Sequence, residues 1–184
     1  MRLDPESTDH HCASWSPDGN WIAYRRLHQG KLELAKAPLG GGRPVRLADA
    51  TEAGLGGGVT HWSGSGQWIA YRQLDGIHVI SPDGNNDKLL SKRGSVLFGF
   101  SRDSSTLYAL VRSPSRKWTL AAIDVATGAE RLTELAIPAA ANVLDFSLHP
   151  DGKAFATSIS TPKFDIWILE GFAQPSWWAR LRRQ

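Results

Sequence analysis

The sequence predicts an all-β fold, a β-propeller with four recognisable four-stranded blades, either partial or self-associating. The pentapeptide WIAYR stands at residues 21–25 and again at 68–72, and a repeat containing tryptophan points to a repeated structural unit. Extended outward, it becomes four copies: ASWSPDGNWIAYRR (13–26), THWSGSGQWIAYRQ (60–73), FGFSRDSSTLYALV (98–111) and LDFSLHPDGKAFAT (144–157). Their aligned aromatics Trp15, Trp62, Phe100 and Phe146 lie 47, 38 and 46 positions apart, and periods of about 40–50 residues belong to solenoids and propeller blades. The 3.6-residue periodicity of a helical repeat is missing.

Taken in order, each unit spells strand, tight turn, strand. Ser16, Pro17, Asp18 and Gly19 in the first copy, and Pro150, Asp151 and Gly152 in the fourth, suit a turn. Proline presets φ, aspartate bonds nearby backbone and glycine tolerates positive φ. The second copy substitutes Gly64-Ser65-Gly66 and keeps the permissive backbone. After the turn come β-formers such as Trp21-Ile22-Ala23-Tyr24. A third apolar run follows, beginning at Leu32, Ile77, Leu120 and Ile166, then a polar turn and a short fourth run at Arg46-Leu47, Leu89-Leu90 and Arg131-Leu132-Thr133. Strands apolar on both faces fit blades sandwiched between neighbours. The blades are expected over residues 10–50, 57–92, 95–135 and 142–170, followed by a Trp/Arg tail at 171–184.

Composition supports a folded chain and selects no partner. The 184 residues are 41% hydrophobic and 21% charged, enough for a sizeable core. A formal charge of +3, with basic residues scattered apart from Arg180, Arg182 and Arg183, gives no nucleic-acid footprint. Cys12 is the only cysteine, so neither an internal disulfide nor a multi-cysteine zinc site is available. The sequence shows no signal peptide and no membrane-spanning apolar run, which leaves the compartment open.

The W-S-P-D-G-x-x-I-A-Y pattern, followed by an apolar strand, a turn and an R-L-T-like outer strand, resembles the TolB-type, WD-repeat-like β-propeller family over residues 1–170. Propellers of that type serve as partner-binding domains, periplasmic scaffolds, caps on peptidases and sensor segments. The run STPKFDIWILEGF (160–172) and the tail after it are similar to the ends of bacterial serine/threonine kinases and winged-helix regulators that carry such propellers. That likeness implies the last part of a larger regulator, on an extracytoplasmic face if the regulator is membrane-anchored. Met1-Arg2-Leu3 parallels Arg46-Leu47. It reads as an outer strand that completes the fourth blade or ends a blade lying upstream, and a face-to-face homodimer is a third closure.

No catalytic motif is complete. Gly64-Ser65-Gly66 and Gly99-Phe100-Ser101 are fragments of G-x-S-x-G, better explained as blade turns. The clusters Gly40–Gly42 and Gly54–Gly58 lack the spacing of a phosphate cradle. His10-His11-Cys12 would diverge on an extended strand, and Asp83–Asp87 reads as a hairpin turn, so neither a metal nor a cofactor is expected. Trp15, Trp21, Trp62 and Trp68 are expected to pack blades together. Arg112, Arg116, Lys117 and Trp118 lie on a longer hairpin tip and are the candidate partner-binding residues, while Trp177–Arg183 could touch a membrane interface weakly. The expectation is a non-catalytic module that binds a protein or ligand. The alternatives are the accessory propeller of a prolyl-oligopeptidase-like peptidase or a TolB-like periplasmic scaffold.

Overall fold

The computed structural model describes residues 9–50, 59–93, 95, 97–113, 115–138, 141–143, 145–149 and 154–161. Each repeat folds as an antiparallel meander whose strands pair in chain order. The first sheet holds β1 (Asp9–Trp15), β2 (Trp21–His28), β3 (Lys31–Pro38) and β4 (Val45–Asp49). The second holds β5 (His61–Trp62), β6 (Ile69–Gln73), β7 (Gly76–Ile80) and β8 (Asp87–Ser91). The third holds β9 (Leu97–Phe100), β10 (Thr106–Arg112), β11 (Trp118–Asp124) and β12 (Glu130–Glu134). In the fourth repeat β13 (Asn142–Val143) pairs with β16 (Ile159–Ser160), and β14 (Ser147–Leu148) with β15 (Phe155–Ala156). These are two segments of one hairpin, joined where the Asp145 carboxylate accepts Ser158 N at 2.7 Å and Ser158 Oγ at 2.8 Å. Among the described residues the sheets are all antiparallel and no helix occurs, the architecture of a partial β-propeller.

Strand alternation explains WIAYR. Successive side chains of a strand point to opposite faces, so Trp, Ala and Arg face the next sheet while Ile and Tyr face the one before. Ile69 and Tyr71 are buried against Ala23, Leu34 and Leu47 of the first sheet. Ala70, with Trp68 beside it, packs against Phe98, Leu107 and Ala109 of the third. Ala23 and Ala70 are both 0% exposed, so a larger side chain there would push two sheets apart. Each large apolar side chain buried this way is worth about 1.5–3 kcal/mol. Polar links reinforce the stack, with Trp62 N donating to Ser14 Oγ at 2.9 Å, Ser65 N to Ser104 Oγ at 3.0 Å, and Lys88 Nζ to the Val125 carbonyl at 2.6 Å.

Three sequence expectations need correction. Trp15 is 58% exposed, because it shares the face of β2's Ile22, turned away from the second sheet, and does not pack between blades. Trp21 is only half-buried, with the Lys36 amine 4.3 Å above its ring. Simple alternation also fails at Cys12, which has φ 57° where the β1–β2 register shifts between His11 and Ser14. The expected strands at 1–3 and 166–169, the turn residues Pro150, Asp151 and Gly152, the Gly54–Gly58 cluster and the tail 171–184 lie outside the described residues.

Candidate functional site

The meander places the β1–β2 and β3–β4 turns of each blade at one end, and the β2–β3 turns at the other. At the first end, Ser16 Oγ donates to Asp18 Oδ1 at 2.5 Å and accepts from Trp21 N at 2.9 Å. Asp18 also accepts from Asn20 N and Asn20 Nδ2, both at 3.0 Å. The same device recurs at Ser101, Asp103 and Ser105, and between β7 and β8 at Ser81, Asp83 and Asn85. These bonds, the serine hydroxyl first, hold the carboxyls of Asp83 and Asp103 below the usual range and bring Asp18 down to about 2. The aspartates are therefore turn clasps. In the second repeat Ser65 takes the aspartate's place, with Ser63 Oγ 3.2 Å from Ser65 Oγ and Gln67 N donating to Ser65 Oγ at 3.4 Å.

Between the Ser16 turn of the first blade and the Ser65 turn of the second lies an open groove of about 320 Å³, lined by Pro17, Asp18, Trp21, Lys36, Trp62 and Pro82, with Ser16, Ser65 and Gly66 beside them. Lys36 reaches it because its cross-strand partner is Ala23, whose small side chain leaves room for the lysine stem to lean over Trp21. Burial lowers the Lys36 pKa, and the charge of Asp83 opposes that shift. Trp62, packed on the inter-sheet core, donates Nε1 to the Gly66 carbonyl at 3.4 Å. The groove thus combines two indole surfaces, two prolines and one ammonium. Sequence reading missed Lys36 because only the β2–β3 register sets it over Trp21.

The opposite end holds the expected partner-binding residues, and the structure separates them. Trp118 is buried against Leu110, Ile137, Val143, Phe146 and Phe155, and its Nε1 donates to the Ala141 carbonyl at 3.1 Å. Arg112 stacks 4.8 Å from the Trp118 ring and donates to the same carbonyl at 2.9 Å. These two residues fasten the fourth repeat to the third. Arg116 and Lys117 remain exposed on the Ser113–Lys117 loop, Lys117 paired with Glu134 at 3.1 Å. In the second sheet His78 bridges Asp75 at 2.9 Å and Asp87 at 3.1 Å, and Asp87 accepts the Tyr71 hydroxyl at 2.7 Å. Burial, then Asp87, pushes the Tyr71 pKa up. Among the described residues no group of three or more His, Cys, Asp or Glu side chains could hold a metal ion, and no helix is long and apolar enough to cross a membrane.

Solved structures share this arrangement of sheets. TolB from Acinetobacter baumannii superposes with a TM-score of 0.62 at 15% identity, covering 88% of this chain and 41% of that one. A putative TolB from Agrobacterium tumefaciens gives 0.68 at 19% identity, covering 88% of this chain and 59% of that one. The fold is that of a TolB-like β-propeller. The acylaminoacyl peptidase of Pyrococcus horikoshii matches the propeller at a TM-score of 0.56 and 14% identity, over 78% of this chain and 28% of that one. The chain therefore spans between about two fifths and three fifths of the two TolB structures. No family model matches the chain, and no curated protein matches it in sequence.

Proposed function

We propose that this propeller is a non-catalytic interaction module, the C-terminal sensory or docking part of a larger bacterial regulator. The groove between the first two blades carries the reading: an ammonium and two indoles line it from strands β2, β3 and β5, beside the turns at Pro17, Ser65 and Pro82. Recognition by loops on a rigid scaffold is the common use of such a frame. The kinase-like and winged-helix-like ending of the sequence supports the link to a regulator. A second reading, an accessory propeller beside a peptidase domain, draws on the likeness to the peptidase propeller. Fold alone does not decide between them.

The test is affinity capture from the source organism's lysate with the wild-type chain and with Lys36→Gln, after matching their thermal unfolding. The module reading predicts a partner that the wild type retains and the variant loses. Identical captures by both would remove the groove as the interaction site. Hydrolytic turnover by the isolated chain, abolished by one serine substitution, would contradict the non-catalytic role.

A further inference from the structure

We propose that the groove between the first and second blades takes an extended acidic peptide, with a side-chain carboxylate on Lys36 and a neighbouring apolar side chain between Trp21 and Trp62. The inference rests on the interaction-module reading and names the chemistry of the partner.

Hydrogen-bond satisfaction around the groove carries it: the two carboxylates keep their charge, but their lone pairs are taken up by their own turns, while the Lys36 donors are not. Asp18 is the only carboxylate in the lining, and it is spent on its own turn, bonded to Ser16 Oγ, Asn20 N and Asn20 Nδ2. Asp83, adjoining the groove-lining Pro82, is spent in the same way on Ser81 Oγ, Asn85 N and Asn85 Nδ2. Lys36 is different: among the described residues it makes no hydrogen bond or ion pair, its amine lies 4.3 Å from the Trp21 ring, and the charge of Asp83 acts on it without bonding it. An ammonium has three donors, so a half-buried lysine resting on an indole leaves donors directed at whatever enters the groove. The repeat sequence adds an independent observation. The second copy of the turn, which forms the opposite lip, is the one in which aspartate has become Ser65. An aspartate there would place a second carboxylate in the groove wall.

The walls set the rest of the ligand. Trp21, Trp62, Pro17 and Pro82 present flat apolar surface suited to one aliphatic or aromatic side chain. A volume of about 320 Å³ is at the small end for a ligand pocket, which suits a short stretch of chain lying across an open slot. A carboxylate on an ammonium forms a charge-assisted hydrogen bond, about twice as strong as a neutral one.

The experiment follows the indole N–H signals of Trp21 and Trp62 by NMR during titration with three blocked peptides: acetyl-Ala-Leu-Glu-Leu-Ala-amide and its Gln and Lys counterparts. The expected result is saturable movement of both indoles with the Glu peptide and at least tenfold weaker binding of the Gln and Lys peptides. Lys36→Gln should erase that preference and Lys36→Arg should keep it. Equal binding of the Glu and Gln peptides, or preference for the Lys peptide, would overturn acidic recognition while leaving the interaction-module reading intact. Stationary indoles with all three peptides would overturn the groove as a peptide site, and the lysate capture would then decide the broader reading. The peptide comparison uses the native chain, so it stands even if a Lys36 variant fails to fold.

Discussion

Gly76 and Gly19 show how differently two glycines with positive φ constrain the chain. At Gly76, φ is +150° and a Cβ would fall 1.9 Å from the Ser91 carbonyl oxygen, a backbone atom of the neighbouring strand. At Gly19, φ is +71° but nothing lies within 4 Å of the same position. Gly76→Ala should therefore destabilise by about 2–4 kcal/mol, since the strand pairing must shift, and Gly19→Ala by about 1 kcal/mol for the left-handed backbone alone. Urea midpoints of the two variants measure the contrast. The turn aspartates give a pH prediction at the same scale. Their carboxyls titrate below the free value of 3.8 in the folded chain, Asp18 at about 2, so each contributes stability above about pH 4. That contribution is lost as pH falls toward about 2. Asp18→Asn should be less stable than wild type at pH 7, and the gap should narrow as the pH is lowered through this window. A gap independent of pH would contradict the clasp.

The hairpins were legible as elements because their determinants are local. Ser, Asp and the following Asn or Ser sit two residues apart, and every bond of the clasp closes within five residues. The Trp118 anchor was not legible, because its partner carbonyl at Ala141 lies 23 residues onward and nothing near Trp118 announces it. A tryptophan beside arginines reads as a surface in sequence and becomes a latch once the third and fourth repeats meet. Lys36 was obscured for a related reason, since only the pairing of Ala23 with Lys36 brings its amine to Trp21. The latch predicts that Trp118→Phe, which removes one buried hydrogen bond, costs about 1 kcal/mol. Trp118→Ala should cost about 3–5 kcal/mol and speed proteolysis within residues 142–160, read by mass spectrometry of the fragments. Equal proteolysis of wild type and Trp118→Ala would mean that the fourth hairpin does not depend on the latch.

Across the whole molecule, the repeated strands work as layers, because each interface draws apolar side chains from two sheets. The layer between the second and third sheets is centred on Phe98, Ala70, Val79, Leu107 and Ile123, and the layer between the first and second on Tyr71, Ile69 and Leu34. A sheet sandwiched this way exposes two apolar faces when a neighbour leaves, so the blades should open together. Stacked repeats are stabilised largely through nearest-neighbour interfaces, and the slowest amide exchange reports global opening. The most direct measurement is native-state hydrogen exchange on the wild type and on Phe98→Ala, whose truncation should cost about 3–5 kcal/mol. Stacked blades predict one shared opening free energy for the slowest amides of β2, β6 and β10, lowered by the same amount in all three by the substitution. Separate values for the three strands, with β2 unaffected by Phe98→Ala, would contradict the stacked-blade account.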